Sequence, residues 1–162
     1  MVSSKGRKTA SAERRLAELH IELAPAPIPL GAYVESVQTG NLLYLSGILP
    51  VIGHEPKFVG RLGREYNVEQ GREAARIAAL NVLSAARNHL GSLDKVTKVV
   101  RLVAYIATDG DFFAQPKVAD AASELLRDVF GEDKLPVRMV LGVASLPLGV
   151  PVVLEVLFEV EA

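Results

Sequence analysis

The chain has 162 residues, 49% of them hydrophobic and only 6% aromatic, with no Cys and no Trp. That length suits one domain with a real core, and the missing thiols exclude a disulfide framework, thiolate metal sites and cysteine nucleophiles. The formal net charge is −1, unevenly spread: residues 1–15 hold five bases and one acid, leaving 13 bases and 18 acids for the rest. The body is therefore mildly acidic and a poor platform for nucleic acid.

Residues 1–10 read as a flexible basic tail, and residues 11–162 as a single domain. A short helix is expected from Ser11, its N-cap, to about Leu19. The prolines at 25, 27 and 29 then force an extended path. Ala32–Val37 and Leu42–Ser46 read as a hairpin turned by Thr39-Gly40-Asn41. Residues 51–67, with Gly53, Pro56, Gly60 and Gly63, read as a long loop.

Asn67 with Gln70 three residues on makes a capping box, and the helix it opens should end before Gly91. Its packing face is Ala75, Ala78, Ala79, Val82, Ala86 and Leu90. Val96–Ala107, rich in β-branched residues, reads as a central strand. A second helix starts near Pro116 and buries Val118, Ala121, Ala122, Leu125, Leu126, Val129 and Phe130, ending at Gly131. Met139–Ala144 and Val152–Val160 are the last strands. The order β β, α, β, α, β β implies an α+β fold, a mixed sheet with two helices on one face. Apolar residues on both faces of the later strands imply that another subunit covers the bare face. No apolar run has membrane-spanning length, and no apolar segment of the secretory type follows the basic N-terminus. A soluble cytoplasmic protein is expected.

Arg138 is the only charge between Leu135 and Leu154. A strand so apolar belongs inside a protein or at a subunit contact, where an unpaired cation is costly. Either an internal carboxylate or a bound anion, such as a small-molecule carboxylate held bidentately, must accept its hydrogen bonds. His20, His54 and His89 share no ligand spacing and read as surface or capping residues. Asp109 and Asp111 flank Gly110 and read as a turn, and Gly60-x-x-Gly63 lacks the context of a phosphate loop. Glu69, Glu73, Arg72 and Arg76 read as pairs along one solvated helix face. No metal site is expected.

Several segments taken together resemble one family. They are Gly31-Ala32-Tyr33-Val34, Gly40-Asn41, Ser46-Gly47-Ile48-Leu49-Pro50, Pro136-Val137-Arg138, Val143-Ala144-x-Leu146-Pro147 and the last strand with Glu155. In order and spacing they resemble the Rid family, also called YjgF or "endoribonuclease L-PSP", and its larger YjgF-like subgroup in particular. The resemblance implies a chorismate-mutase-like fold, a homotrimer with clefts between subunits, and hydrolysis of enamines and imines to 2-oxo acids and ammonia without metal or organic cofactor. Some members are described as ribonucleases or translation inhibitors; the acidic body argues against that activity here.

Carried over, the resemblance makes Arg138 the carboxylate clamp and Tyr33 the cleft tyrosine. Ser46 and Gly47 become ligand-facing, and Ile48 stands where Gln is usual. Val153 replaces the glutamate that helps position water, while Glu155 keeps the second acid of that strand. Two positions along a strand is about 7 Å, so Glu155 would need rearrangement to take over. The expected site is thus Arg138, Tyr33 and Glu155 for catalysis, with Ser46, Gly47 and Ile48 for binding. The alternative is a trimer that binds small carboxylates without turnover.

Overall fold

A computed structural model of the protein describes residues 11–162, so the tail expected over residues 1–10 lies outside the described residues. The elements run α1 (Ala12–Glu18), β1 (Ser36–Thr39), β2 (Leu42–Leu45), β3 (Val51–Ile52), β4 (Glu55–Pro56), α2 (Val68–Leu90), β5 (Val96–Ala107), α3 (Gln115–Phe130), β6 (Val137–Val143) and β7 (Val152–Val160). The main sheet has the order β1-β2-β7-β5-β6. Only β5 and β6 pair in parallel, and α3 supplies the crossover that a parallel pair requires. The other neighbours are antiparallel, which makes the sheet mixed, as expected.

The helices form where capping and periodicity place them. Asn67 accepts from the Gln70 backbone while the Gln70 side chain accepts from the Asn67 backbone, and Gly91 closes α2 in a left-handed conformation (φ 80°). The alanine stripe of α2 is buried, as is the three-four repeat of α3. Gly71 lets the two helices approach. A Cβ there would lie 2.6 Å from Leu62 Cδ1 and 3.0 Å from Val118 Cγ2. Against this layer the sheet buries Leu43, Leu102, Ala104, Ile106, Leu154 and Phe158. Helix α1 docks beside them through Leu16 and through Glu13, whose carboxylate accepts from Arg87 (2.6 and 3.2 Å) and from the Leu93 amide (2.8 Å).

Several local expectations need correction. β1 begins at Ser36 rather than Ala32, because the Tyr33 amide turns back onto the Gly31 carbonyl and breaks any ladder there. The segment 51–67 is not all loop: β3 and β4 form a small hairpin around Gly53 (φ 65°). The α2 charges do not pair along their own helix. Arg72 reaches Glu124 of α3 and Glu73 reaches Lys57.

The second sheet face carries no helix. Val37, Tyr44, Met139 and Leu141 are exposed there, and Val137 is 70% exposed. Within one chain, the apolar strand around Arg138 is therefore an edge strand and not an interior one.

Candidate functional site

Four of the six expected site residues line one cleft. It is bounded by the proline segment 27–30, by Tyr33 and Glu35, by Ser46-Gly47-Ile48-Leu49, and by Gly53 and His54 of the β3–β4 turn. Each part is held from behind. The Ser46 amide donates to the Glu35 carbonyl (2.8 Å), and Ser46 Oγ donates to the Val34 carbonyl (2.6 Å). Ile48 and Leu154 exchange both backbone bonds (2.8 and 3.0 Å), which turns the Ile48 side chain into the core. The buried Asn81 amide of α2 donates to the Leu49 and Val51 carbonyls (3.0 and 2.9 Å) and fixes the cleft wall. Tyr33 Oη accepts from the Leu30 amide (3.2 Å).

Val153 stands directly behind Gly47. A Cβ on Gly47 would come 3.1 Å from Val153 Cγ1. Position 153 thus packs a methyl group against Gly47, a cleft residue, without itself lining the cleft.

Glu35 does place a carboxyl at the cleft. Its Oε1 is enclosed and has no hydrogen-bond partner among the described residues. Burial pushes its carboxyl above the ordinary value. It is the one carboxyl among the described residues that lines the cleft. The sequence reading passed over it. The available signal was an acid between Val34 and Ser36 at the edge of an expected apolar strand.

Arg138 and Glu155 do not line the cleft of their own chain. Arg138 sits on β6, separated from β2 by β5 and β7, and its side chain turns toward α3. Nη1 donates to Asp120 Oδ1 (2.7 Å) and to Ser123 Oγ (3.1 Å). An internal carboxylate therefore pairs with Arg138, and it is Asp120 and not Glu155. Both hydrogen bonds use one terminal nitrogen, so the edge formed by Nε and Nη2 stays available for a second, bidentate acceptor. Glu155 lies on the bare sheet face and accepts from Tyr105 Oη (3.3 Å). Burial first, and the Glu155 charge second, raise the Tyr105 phenol.

The profile of the family described as "YjgF/chorismate_mutase-like, putative endoribonuclease" matches residues 13–160. The chain belongs to this YjgF family. Protein TCP17 of Trypanosoma cruzi is 38% identical over 159 residues, covering 98% of this chain and 97% of that protein. A protein of Dermatophagoides farinae named 2-iminobutanoate/2-iminopropanoate deaminase is 30% identical over 138 residues, covering 84% of this chain and 91% of its own. The crystal structure of Atu1372 from Agrobacterium tumefaciens, a protein of unknown function, superposes with a TM-score of 0.85 at 34% identity, over 93% of this chain and 92% of that one.

Within this YjgF-family chain two of the remaining candidates, His89 and Asp109, have structural partners. His89 contacts Ser36 and Gln38 (3.0 Å each), tying α2 to β1. Asp109 pairs with Arg61 (3.5 Å) beside Gly110 in its turn. Among the described residues no group of three or more His, Asp or Glu is placed to hold a metal ion, and no helix is long and apolar enough to cross a membrane.

Proposed function

We propose that the protein hydrolyses 2-imino and 2-enamino acids to 2-oxo acids and ammonia, in clefts shared between the subunits of a cytoplasmic homotrimer. The observation that carries this reading is the cleft itself: Tyr33, Ser46 and Gly47 line it together with Glu35, whose enclosed Oε1 has no partner among the described residues. A neutral C=N carbon is already electrophilic, so the reaction needs a clamp for the substrate carboxylate, a held water and a proton carrier, and no cofactor. Arg138 is the clamp, contributed by a neighbouring copy through the guanidinium edge that Asp120 leaves open. The exposed apolar face of the sheet is the contact that brings the neighbour into place. The deaminase name of the Dermatophagoides relative agrees with this chemistry.

Val153 supports a second reading, a trimer that binds small carboxylates without turnover, since position 153 offers no base. One assay separates the two. An amino acid oxidase generates 2-imino acids, and semicarbazide traps what remains. The protein should deplete the trapped imine relative to a no-protein control, and Arg138→Ala should abolish the effect. Binding of 2-oxo acids with no depletion across a panel of imines would replace the deaminase with the binder.

A further inference from the structure

We propose that Glu35 is the proton-transferring residue of the cleft, giving a proton to the substrate nitrogen and recovering one from the added water. The inference rests on the imine-hydrolysis reading and assigns its acid–base group.

Two other polar side chains of the cleft are already engaged in hydrogen bonds. Ser46 Oγ is committed as a donor to the Val34 carbonyl. Tyr33 Oη already accepts from the Leu30 amide. His54 sits on the β3–β4 turn, and with Tyr33 it completes the titratable groups lining the cleft. Glu35 differs from all three, because one of its oxygens is enclosed without any partner among the described residues. An enclosed oxygen without a partner is an unfavourable arrangement unless a ligand or a bound water completes it. Desolvation also favours the neutral carboxyl, the form able to donate. The backbone fixes where the group sits. The Glu35 carbonyl accepts from the Ser46 amide, so Glu35 and the Ser46-Gly47 segment are held side by side. Its carboxyl therefore enters the cleft from the β1 side, beside the Ser46-Gly47 segment.

The step balances as follows. Water oxygen bonds to the imine carbon, and the C=N π pair moves onto nitrogen, which takes the proton of neutral Glu35. The Glu35 carboxylate then removes a proton from the added water, leaving a neutral carbinolamine. In the second half Glu35 protonates the amine. The C–N bond breaks with its pair leaving on ammonia, and the hydroxyl proton returns to Glu35 as the C=O forms. The net reaction is imine plus water to 2-oxo acid plus ammonia, with Glu35 unchanged.

The test compares wild type, Glu35→Gln and Glu35→Asp for kcat and KM in imine depletion, and for thermal stabilisation by 2-oxobutanoate. Gln is nearly isosteric with the neutral acid. It should lower kcat by at least about 100-fold, the usual reach of acid–base catalysis. KM should change little, and the stabilisation by 2-oxobutanoate should persist. Asp, an acid one methylene shorter, should fall between. A Gln variant with wild-type kcat overturns the assignment. Should Gln fail to fold, Asp decides alone: kcat lost at constant KM supports the role, and wild-type kcat overturns it. An inactive wild type that still binds 2-oxobutanoate would instead sink the imine reading, and this inference with it.

Discussion

Removing the Arg138 guanidinium should separate its two partners by magnitude. Arg138→Ala deletes an ion pair to Asp120 whose side chains are 27% and 47% exposed. Pairs exposed to that degree contribute about 0.2–1 kcal/mol, so the melting temperature should fall by no more than about 4 °C. The ligand side is different. A substrate carboxylate held through Nε and Nη2 makes charge-assisted hydrogen bonds in a partly dry cleft, about 1.5–3 kcal/mol for hydrogen bonds to charged groups. At about 1.4 kcal/mol per decade that is roughly a 10- to 150-fold loss of affinity for 2-oxobutanoate. Arg138→Lys should fall between, since it keeps the charge and loses the fork.

Asp120→Asn runs the opposite way. Removing the acid leaves Arg138 a fuller cation, and affinity should rise roughly two- to fivefold at low salt, the size of an exposed pair. Salt should flatten that gain, because exposed charges are screened. Titration calorimetry with 2-oxobutanoate at two ionic strengths reads all of these. Affinity of Arg138→Ala within twofold of wild type, or weaker binding by Asp120→Asn, would refute the clamp and leave Arg138 a structural residue of β6.

Two further predictions concern the scaffold and the cleft carboxyl. Gly71→Ala gains up to about 1 kcal/mol of helix propensity. It also drives a Cβ to within 2.6 Å of Leu62 and 3.0 Å of Val118. Overpacking of this kind costs about 1–3 kcal/mol, so urea unfolding should show a net loss of stability; a gain would mean that α2 and α3 separate freely. Glu35→Gln should raise the melting temperature near neutral pH and leave it unchanged in acid. The raised carboxyl makes the folded state bind more protons than the unfolded one, so stability falls as pH rises from the ordinary carboxyl value through the raised one. Equal effects of the substitution in acid and at neutral pH would remove that shift.

Local signals carried most of the fold. The Asn67–Gln70 box, Gly91, Pro116 and the apolar period of α3 each act within a few residues, and all appear where the sequence puts them. The β3–β4 hairpin was hidden because Pro56 lies within it and only Gly53 marks its turn. The site was half legible. Tyr33, Ser46 and Gly47 flank one short hairpin, so their meeting follows from local pairing. The partner of Arg138 was not readable, because Asp120 lies on another element and only the packing of α3 against β6 brings it within 2.7 Å. Glu35 escaped notice for a related reason. The cleft it lines is walled by the irregular segment at 27–30 and the β3–β4 turn, which follow no periodic pattern.

The shared cleft can be tested by complementation. Arg138→Ala and Glu35→Gln chains, each inactive alone, would be co-expressed with different tags and the mixed oligomer purified through both. If Glu35 of one copy works with Arg138 of the next, every trimer carrying both tags has roughly one cleft in three intact, and imine depletion returns to about a third of wild type. Mixed oligomers as inactive as their parents would contradict a cleft built from two copies of this chain.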